Sequence, residues 1–177
     1  MAKNIIYSPG RQVFLTLVTR GHAPILREHV HTVLAGWEQV ASRHEMELIA
    51  WTVLSDHAHF IIDTRGLGIS ALTHSFRLAS GRLFRGLAVT GRKPLWSSGA
   101  FMQTLKSKHD LERHIDFVHY NSVKHGAVAF PWEYPHSSFR EFVMHGYYLR
   151  DWTLSTEQHA ALRDLDDSDV IVTHKAR

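Results

Sequence analysis

Apolar residues recur along this chain with two alternating periods, and the order of those periods limits the possible folds more than any compositional figure. Gln12 to Thr19 (QVFLTLVT) is a β-branched and aromatic run, apolar on both faces and ended by Arg20-Gly21, the pattern of a central strand covered on both sides. From Glu28 to Arg43 the period becomes helical, with Val30, Val33, Leu34, Trp37, Val40 and Ala41 on one face. Glu47 to Leu54 (ELIAWTVL) and Ala58 to Asp63 (AHFIID) read as two further strands, joined as a hairpin through the Ser55-Asp56 turn signal. Gly66 and Gly68 then break the pattern. Ile69, Leu72, Phe76, Ala79, Leu83 and Leu87 mark a second helix, Leu95 to Leu105 contains a fourth strand, and a third helix runs from about Lys108 to Lys124 before Gly126.

The order β-α-β-β-α-β-α has a specific consequence. Its first six elements match the ferredoxin-like (RRM-like) α+β pattern, a four-stranded antiparallel sheet with two helices on one face. The third helix is extra, and the open face of the sheet is its natural place. One domain over residues 1–150 is expected of a chain of 177 residues, followed by an acidic tail, residues 151–177, whose weak periodicity suggests loose attachment. Cysteine is absent, which excludes disulfide frameworks, thiol catalysis and thiolate-bound metal centres and fits a reducing cytoplasm. The opening MAKNIIYSPG lacks the apolar stretch of a signal peptide, and no run of about 18 apolar residues occurs, so a soluble cytoplasmic protein with no membrane partner is expected.

Charge is unevenly placed. The net +3 conceals a segment, residues 64–109, with eight basic residues and no acidic one: Arg65, Arg77, Arg82, Arg85, Arg92, Lys93, Lys106 and Lys108. An acid-free basic segment of this kind favours a phosphate-rich partner, although a merely solvated face has the same composition.

Fifteen histidines are scattered through the chain, and two of them gain meaning from their strand. Side chains alternate along a strand, so His57, His59 and Ile61 share one face while Ala58, Phe60 and Ile62 share the other. Two imidazoles side by side on a rigid strand suit a divalent cation. His29 and His31 have the same spacing, so spacing alone does not single out a site. On the third helix Leu111, Ile115 and Val118 form the apolar stripe, and Tyr120 lies about 200° around from Val118, on the side of Asp116 and Lys124. If that helix covers the open sheet face, a tyrosine hydroxyl comes within reach of a cation at the histidine pair. Phosphoryl transfer to tyrosine is the chemistry that matches, the cation offsetting a phenol pKa near 10. A surface tyrosine with a structural hydrogen bond is the plainer alternative.

Family resemblance adds to these readings. The stretch LSDHAHFIID resembles the two-histidine motif of HUH nucleases, and FVHYNSVKHG resembles the tyrosine helix of their single-tyrosine transposase branch. PLWSSGAF and PWEYPHSSFREF look like further signatures of the REP-associated tyrosine transposases, and the likeness runs in order from about Val13 to Phe142. The resemblance implies a metal-dependent DNA endonuclease and strand transferase, using Mg²⁺ or Mn²⁺ on hairpin-containing single-stranded DNA. Cleavage would leave a 5′-phosphotyrosine link and a free 3′ hydroxyl for rejoining, in a monomer or homodimer. Carried over residue by residue, His57 and His59 become metal ligands and Tyr120 the nucleophile. The expected DNA contacts are Arg77, Arg82, Arg85, Lys93, Lys106 and Lys124; Trp96 and Trp132 read first as core or packing residues, with stacking on unpaired bases the alternative.

Two departures from the family pattern stand out. Asn121-Ser122 replaces the Asn-Pro that often follows the tyrosine. Some family members also supply a glutamine ligand four residues after the tyrosine, where this chain has Lys124, an ammonium that cannot coordinate metal. Asn121 or His125 is the substitute third ligand, or Lys124 contacts the scissile phosphate directly. An RRM-like binding module without catalysis is the alternative function, disfavoured because histidines occupy the sheet face where such modules present aromatics.

Overall fold

The computed structural model describes residues 5–91, 93–162 and 165. Strands β1 (Gln12–Val18), β2 (Glu47–Val53), β3 (His57–Asp63) and β4 (Phe101–Thr104) form one antiparallel sheet in the order β2-β3-β1-β4. Helices α1 (Val30–Ala41) and α2 (Ile69–Gly86) lie on one face, α3 (Lys108–Lys124) lies on the other, and short helices α4 (Phe139–Met144) and α5 (Thr156–Ala161) follow. The expected α+β sheet with its extra helix is what the chain forms.

Alternation along the two central strands divides the core. Leu15 and Leu17 of β1 with Ala58, Phe60 and Ile62 of β3 face α1 and α2, meeting Val33, Trp37, Val40, Leu72, Phe76 and Phe84. Phe14 of β1 and Ile61 of β3 face the opposite way and meet Leu111, Ile115, Phe117 and Val118 of α3. Each such burial contributes about 1.5–3 kcal/mol, so both faces of β1 and β3 are held. Helices α1 and α2 approach closely at Gly36, where an added Cβ would stand 3.0 Å from Ser80 Cβ and 3.1 Å from Phe76 Cε2.

Several expectations need correction. Helix α1 begins two residues later than expected, after a 3₁₀ turn over Arg27–His29. Leu87 lies past the end of α2 and is 49% exposed; Phe84, eight residues after Phe76 on the same face, fills the core instead. Trp96, by contrast, is the packing residue expected of it, buried against Phe76 with its indole N–H donating to Ser80 Oγ at 2.9 Å. The chain after Asp151 is not loosely attached over its described part: Trp152, Leu154, Leu162 and Leu165 pack into the second core. The rest of the acidic tail, and Arg92 of the basic segment, lie outside the described residues. Among the described residues, no helix is long and apolar enough to cross a membrane.

Helix α3, which presents the site, is firmly defined at both ends. Ser107 caps its start by accepting from the Asp110 N–H at 3.0 Å, while Asp110 accepts from the Lys106 N–H at 2.8 Å and sits where the helix dipole favours an anion. Its end is closed by Gly126 at φ +67°, the left-handed turn that glycine adopts without steric penalty.

Candidate metal centre and nucleic-acid interface

His57 and His59 stand at the start of β3, on the face that α3 covers, with ring centroids 5.2 Å apart. Register brings Thr16 of β1 directly opposite His59. Asp56, the residue before β3, accepts from His57 Nδ1 at 2.8 Å through one carboxylate oxygen and from His22 Nδ1 at 2.9 Å through the other. Its pKa is held down to about 2, chiefly by the hydrogen bond from His57 and secondarily by His22, against a burial that pushes it up. An ionised carboxylate is only an acceptor, so the proton of neutral His57 is on Nδ1 and a lone pair is on Nε2. That Nε2 is buried without a hydrogen-bond partner.

His59 is held from both sides. Its Nδ1 is 2.9 Å from Thr16 Oγ1, its Nε2 is 3.1 Å from Asn121 Oδ1, and Phe14 stacks on its ring. An amide oxygen only accepts, so His59 Nε2–H donates to Asn121 Oδ1 while Nδ1 accepts from the Thr16 hydroxyl. Because that hydroxyl can also accept, Thr16 equally supports the opposite tautomer, in which the Nε2 lone pair faces a cation once the Asn121 amide turns. Asn121 is fully buried, and its Nδ2 has no partner. His125 caps the end of α3 with its ring 4.7 Å from that of His57. Both candidates for a third donor therefore converge on the pair, Asn121 beside His59 and His125 beside His57.

Among the described residues, no three His, Asp or Glu side chains are grouped to hold a metal ion. The donor set is thinner: two imidazole nitrogens and the amide oxygen of Asn121. Such a set leaves coordination positions for water and phosphate oxygens, the hard donors that Mg²⁺ or Mn²⁺ prefer, while the two imidazoles are ligands of the kind transition-metal dications accept. The buried, partnerless Nε2 of His57 and the carboxylate behind it have the form of a carboxylate–histidine–cation array, so the residues present fit a divalent cation.

Tyr120 does not share this cluster's helix face. The α3 side chain seated against His59 is Phe117, its ring 5.6 Å from the imidazole and edge-on to it. Asn121 follows Phe117 by four residues on the same face, whereas Tyr120 is rotated about 100° from Asn121. The Tyr120 hydroxyl is hydrogen-bonded with Thr153, and burial pushes its pKa up, away from a ready nucleophile.

The expected DNA contacts also separate. Arg77 donates to the carbonyl oxygens of Ser98 and Gly99, so it clamps the loop before β4 and is no free phosphate ligand. Arg82 and Arg85 are exposed on α2, on the sheet face opposite the histidines. Lys93 and Lys106 are exposed in loops, and exposed Lys124 sets its ammonium 4.9 Å from the ring centre of Phe117. Trp132 is flanked by the guanidinium groups of Arg140 and Arg150, at 5.4 and 4.4 Å. His114 and His119 are structural: His114 pairs with Asp110, and His119 reaches Ser138 Oγ at 2.8 Å.

Sequence reading passed over Asp56, Thr16, His22 and Phe117. Asp56 had a local signal, an acid immediately before the paired histidines. His22 and Thr16 had none, being 34 and 43 residues from their partners.

Residues 12–121 match the family model described as IS200-like transposase. A candidate REP-associated tyrosine transposase of Haemophilus influenzae is 24% identical over 157 residues, covering 82% of this chain and 89% of that protein. The REP-associated tyrosine transposase of Escherichia coli K12 is 29% identical over 106 residues, 60% of this chain and 62% of that one. Among solved structures, a REP-associated tyrosine transposase bound to a REP hairpin has the same fold, with a TM-score of 0.74 at 23% identity over 88% of this chain and 93% of that chain.

Proposed function

Because the chain belongs to the IS200-like transposase family, we propose that it takes hairpin-containing single-stranded DNA at the His57–His59–Asn121 cluster, with Mg²⁺ or Mn²⁺ held there. The observation that carries this reading is the Nε2 of His57, buried, partnerless and backed by an ionised Asp56. A cation at these donors polarises a phosphodiester and offsets the charge that develops on its oxygens. Around it, Asp56 and Thr16 orient the two imidazoles. The exposed cations Lys106 and Lys124, with Arg82, Arg85 and Lys93 farther away, attract the strand through its phosphates.

For the covalent step the chain offers Tyr120. Its hydroxyl oxygen attacks phosphorus, the bond from phosphorus to the 3′ oxygen breaks, and the phenol proton ends on that oxygen through solvent. A 5′-phosphotyrosine and a free 3′ hydroxyl result, and the reverse displacement rejoins strands. Attack requires the hydroxyl to leave Thr153 and approach the histidine pair.

A second reading, hairpin binding without a covalent step, has its own observation: Phe117 and not Tyr120 is seated against His59. One assay separates them. Labelled hairpin DNA is incubated with the protein and Mn²⁺ and run on a denaturing gel, beside Tyr120→Phe. A covalent adduct that disappears in Tyr120→Phe supports strand transfer through Tyr120; binding with no adduct in either protein supports the second reading. No hairpin binding by the native chain at low salt refutes both.

A further inference from the structure

Helix α3 offers the histidine pair two aromatic side chains, Phe117 and Tyr120, and their surroundings differ. Phe117 is almost fully buried, one turn before Asn121 and on the same face. Its ring meets His59 at 5.6 Å and Phe14 at 5.8 Å, edge-on to both, and the Lys124 ammonium stands over it at 4.9 Å. Asn121, the next residue on that face, places its amide oxygen 3.1 Å from His59 Nε2. Position 117 is therefore fixed by the same side chains that define the site. Tyr120 is rotated away around the helix, with its hydroxyl on Thr153.

We infer that residue 117 is the position on α3 from which an aromatic hydroxyl serves this site, and that phenylalanine there leaves the native chain without a nucleophile at that position. The inference rests on the reading of the histidine cluster as a cation and DNA site. It sides with the second reading above, hairpin binding without a covalent step by the native chain, and separates the residues that bind from an attacking group that position 117 lacks. A single added oxygen, in Phe117→Tyr, supplies that group: its oxygen bonds to phosphorus, the 3′ oxygen departs with the phenol proton, and the 5′ phosphate remains on residue 117. Lys124, already over the ring, favours the phenolate that forms as the proton leaves.

Two measurements test this. In the first, Phe117→Tyr/Tyr120→Phe is incubated with labelled hairpin DNA and Mn²⁺ beside Tyr120→Phe alone. The double variant is expected to form about a hundredfold more adduct, the scale on which positioning of a reacting group acts. A double variant that binds the hairpin with native affinity and forms no adduct overturns the inference. The second needs no DNA: 4-fluorophenylalanine at position 117 and 3-fluorotyrosine at position 120 are compared by ¹⁹F NMR during Mn²⁺ addition. Paramagnetic broadening falls with the inverse sixth power of distance, so the resonance at 117 is expected to broaden first. Earlier broadening at 120 overturns the inference and leaves the cation site standing. Broadening at neither position refutes the site reading, and the inference with it.

Discussion

Removing Asp56 tests whether the histidine pair is an oriented ligand set or two adjacent buried imidazoles. The Asp56 carboxylate binds His57 Nδ1 at 2.8 Å and His22 Nδ1 at 2.9 Å, so it fixes the His57 tautomer, turns Nε2 toward the cluster and supplies a negative charge behind the ring. His22 is drawn into this arrangement at φ +55°, a costly conformation for a non-glycine residue and one often found at functional sites. In Asp56→Ala the ring loses its acceptor and its charged partner together. Loss of such an outer partner of a ligating histidine typically weakens metal affinity about 10–100-fold, or about 1.4–2.7 kcal/mol. Asp56→Asn keeps an acceptor oxygen and loses only the charge, so its loss is expected near the lower bound. Mn²⁺ titration by calorimetry or electron paramagnetic resonance at pH 7.5, without DNA, gives the affinities, and circular dichroism melts confirm that each variant is folded. A folded Asp56→Ala that binds Mn²⁺ as tightly as the native chain refutes the argument that Asp56 acts through His57.

Arg77→Ala is expected to lower stability by about 1.5–3 kcal/mol, from hydrogen bonds made by a charged donor, and to leave the salt dependence of DNA binding unchanged. Lys124→Ala is expected to do the converse, reducing the slope of log K against log salt by about 1; equal slopes for the two variants would contradict the separation. Asp116 accepts from Tyr148 Oη at 2.7 Å, and burial is the main cause that raises its pKa above 3.8. Its folded form holds a proton that its unfolded form has released, so its contribution to stability falls as pH rises above about 4. Compared with Asp116→Asn, the native chain should lose urea resistance over that rise, and parallel curves would refute the assignment. Gly36→Val drives side-chain atoms into Ser80 and Phe76 and should cost about 1–3 kcal/mol in a thermal melt, whereas an unchanged midpoint would show that α1 and α2 separate freely.

Much of the fold was legible because its signals are local. β1 is apolar on both faces, as a central strand between two helical layers must be, and α3 spans Lys108–Lys124 before Gly126, as its pattern indicated. The pairing of His57 with His59 needs only the two-residue period of a strand. Where the local signal was weak the reading failed. Leu87 continued the helical stripe on paper but lies beyond the last turn of α2, and the residues after Asp151 scored as weakly periodic although Trp152, Leu154 and Leu162 enter the second core one by one. Arg77 had the composition of a phosphate ligand and the position of a loop clamp.

Sequence by itself determined the order of the elements, the shared face of the two histidines, the uneven charge and the absence of thiol chemistry. Tertiary structure alone decided which side chains meet them: Asp56 and His22 behind His57, Thr16 and Asn121 on either side of His59, and Phe117 where the sequence suggested Tyr120. The physical reason is that the register of β1 on β3 and the rotation of α3 about its own axis are set by packing. Phe14, Ile61, Leu111, Ile115 and Val118 interdigitate in the second core, and about 100° of helix rotation per residue is enough to exchange the aromatic ring that faces the site.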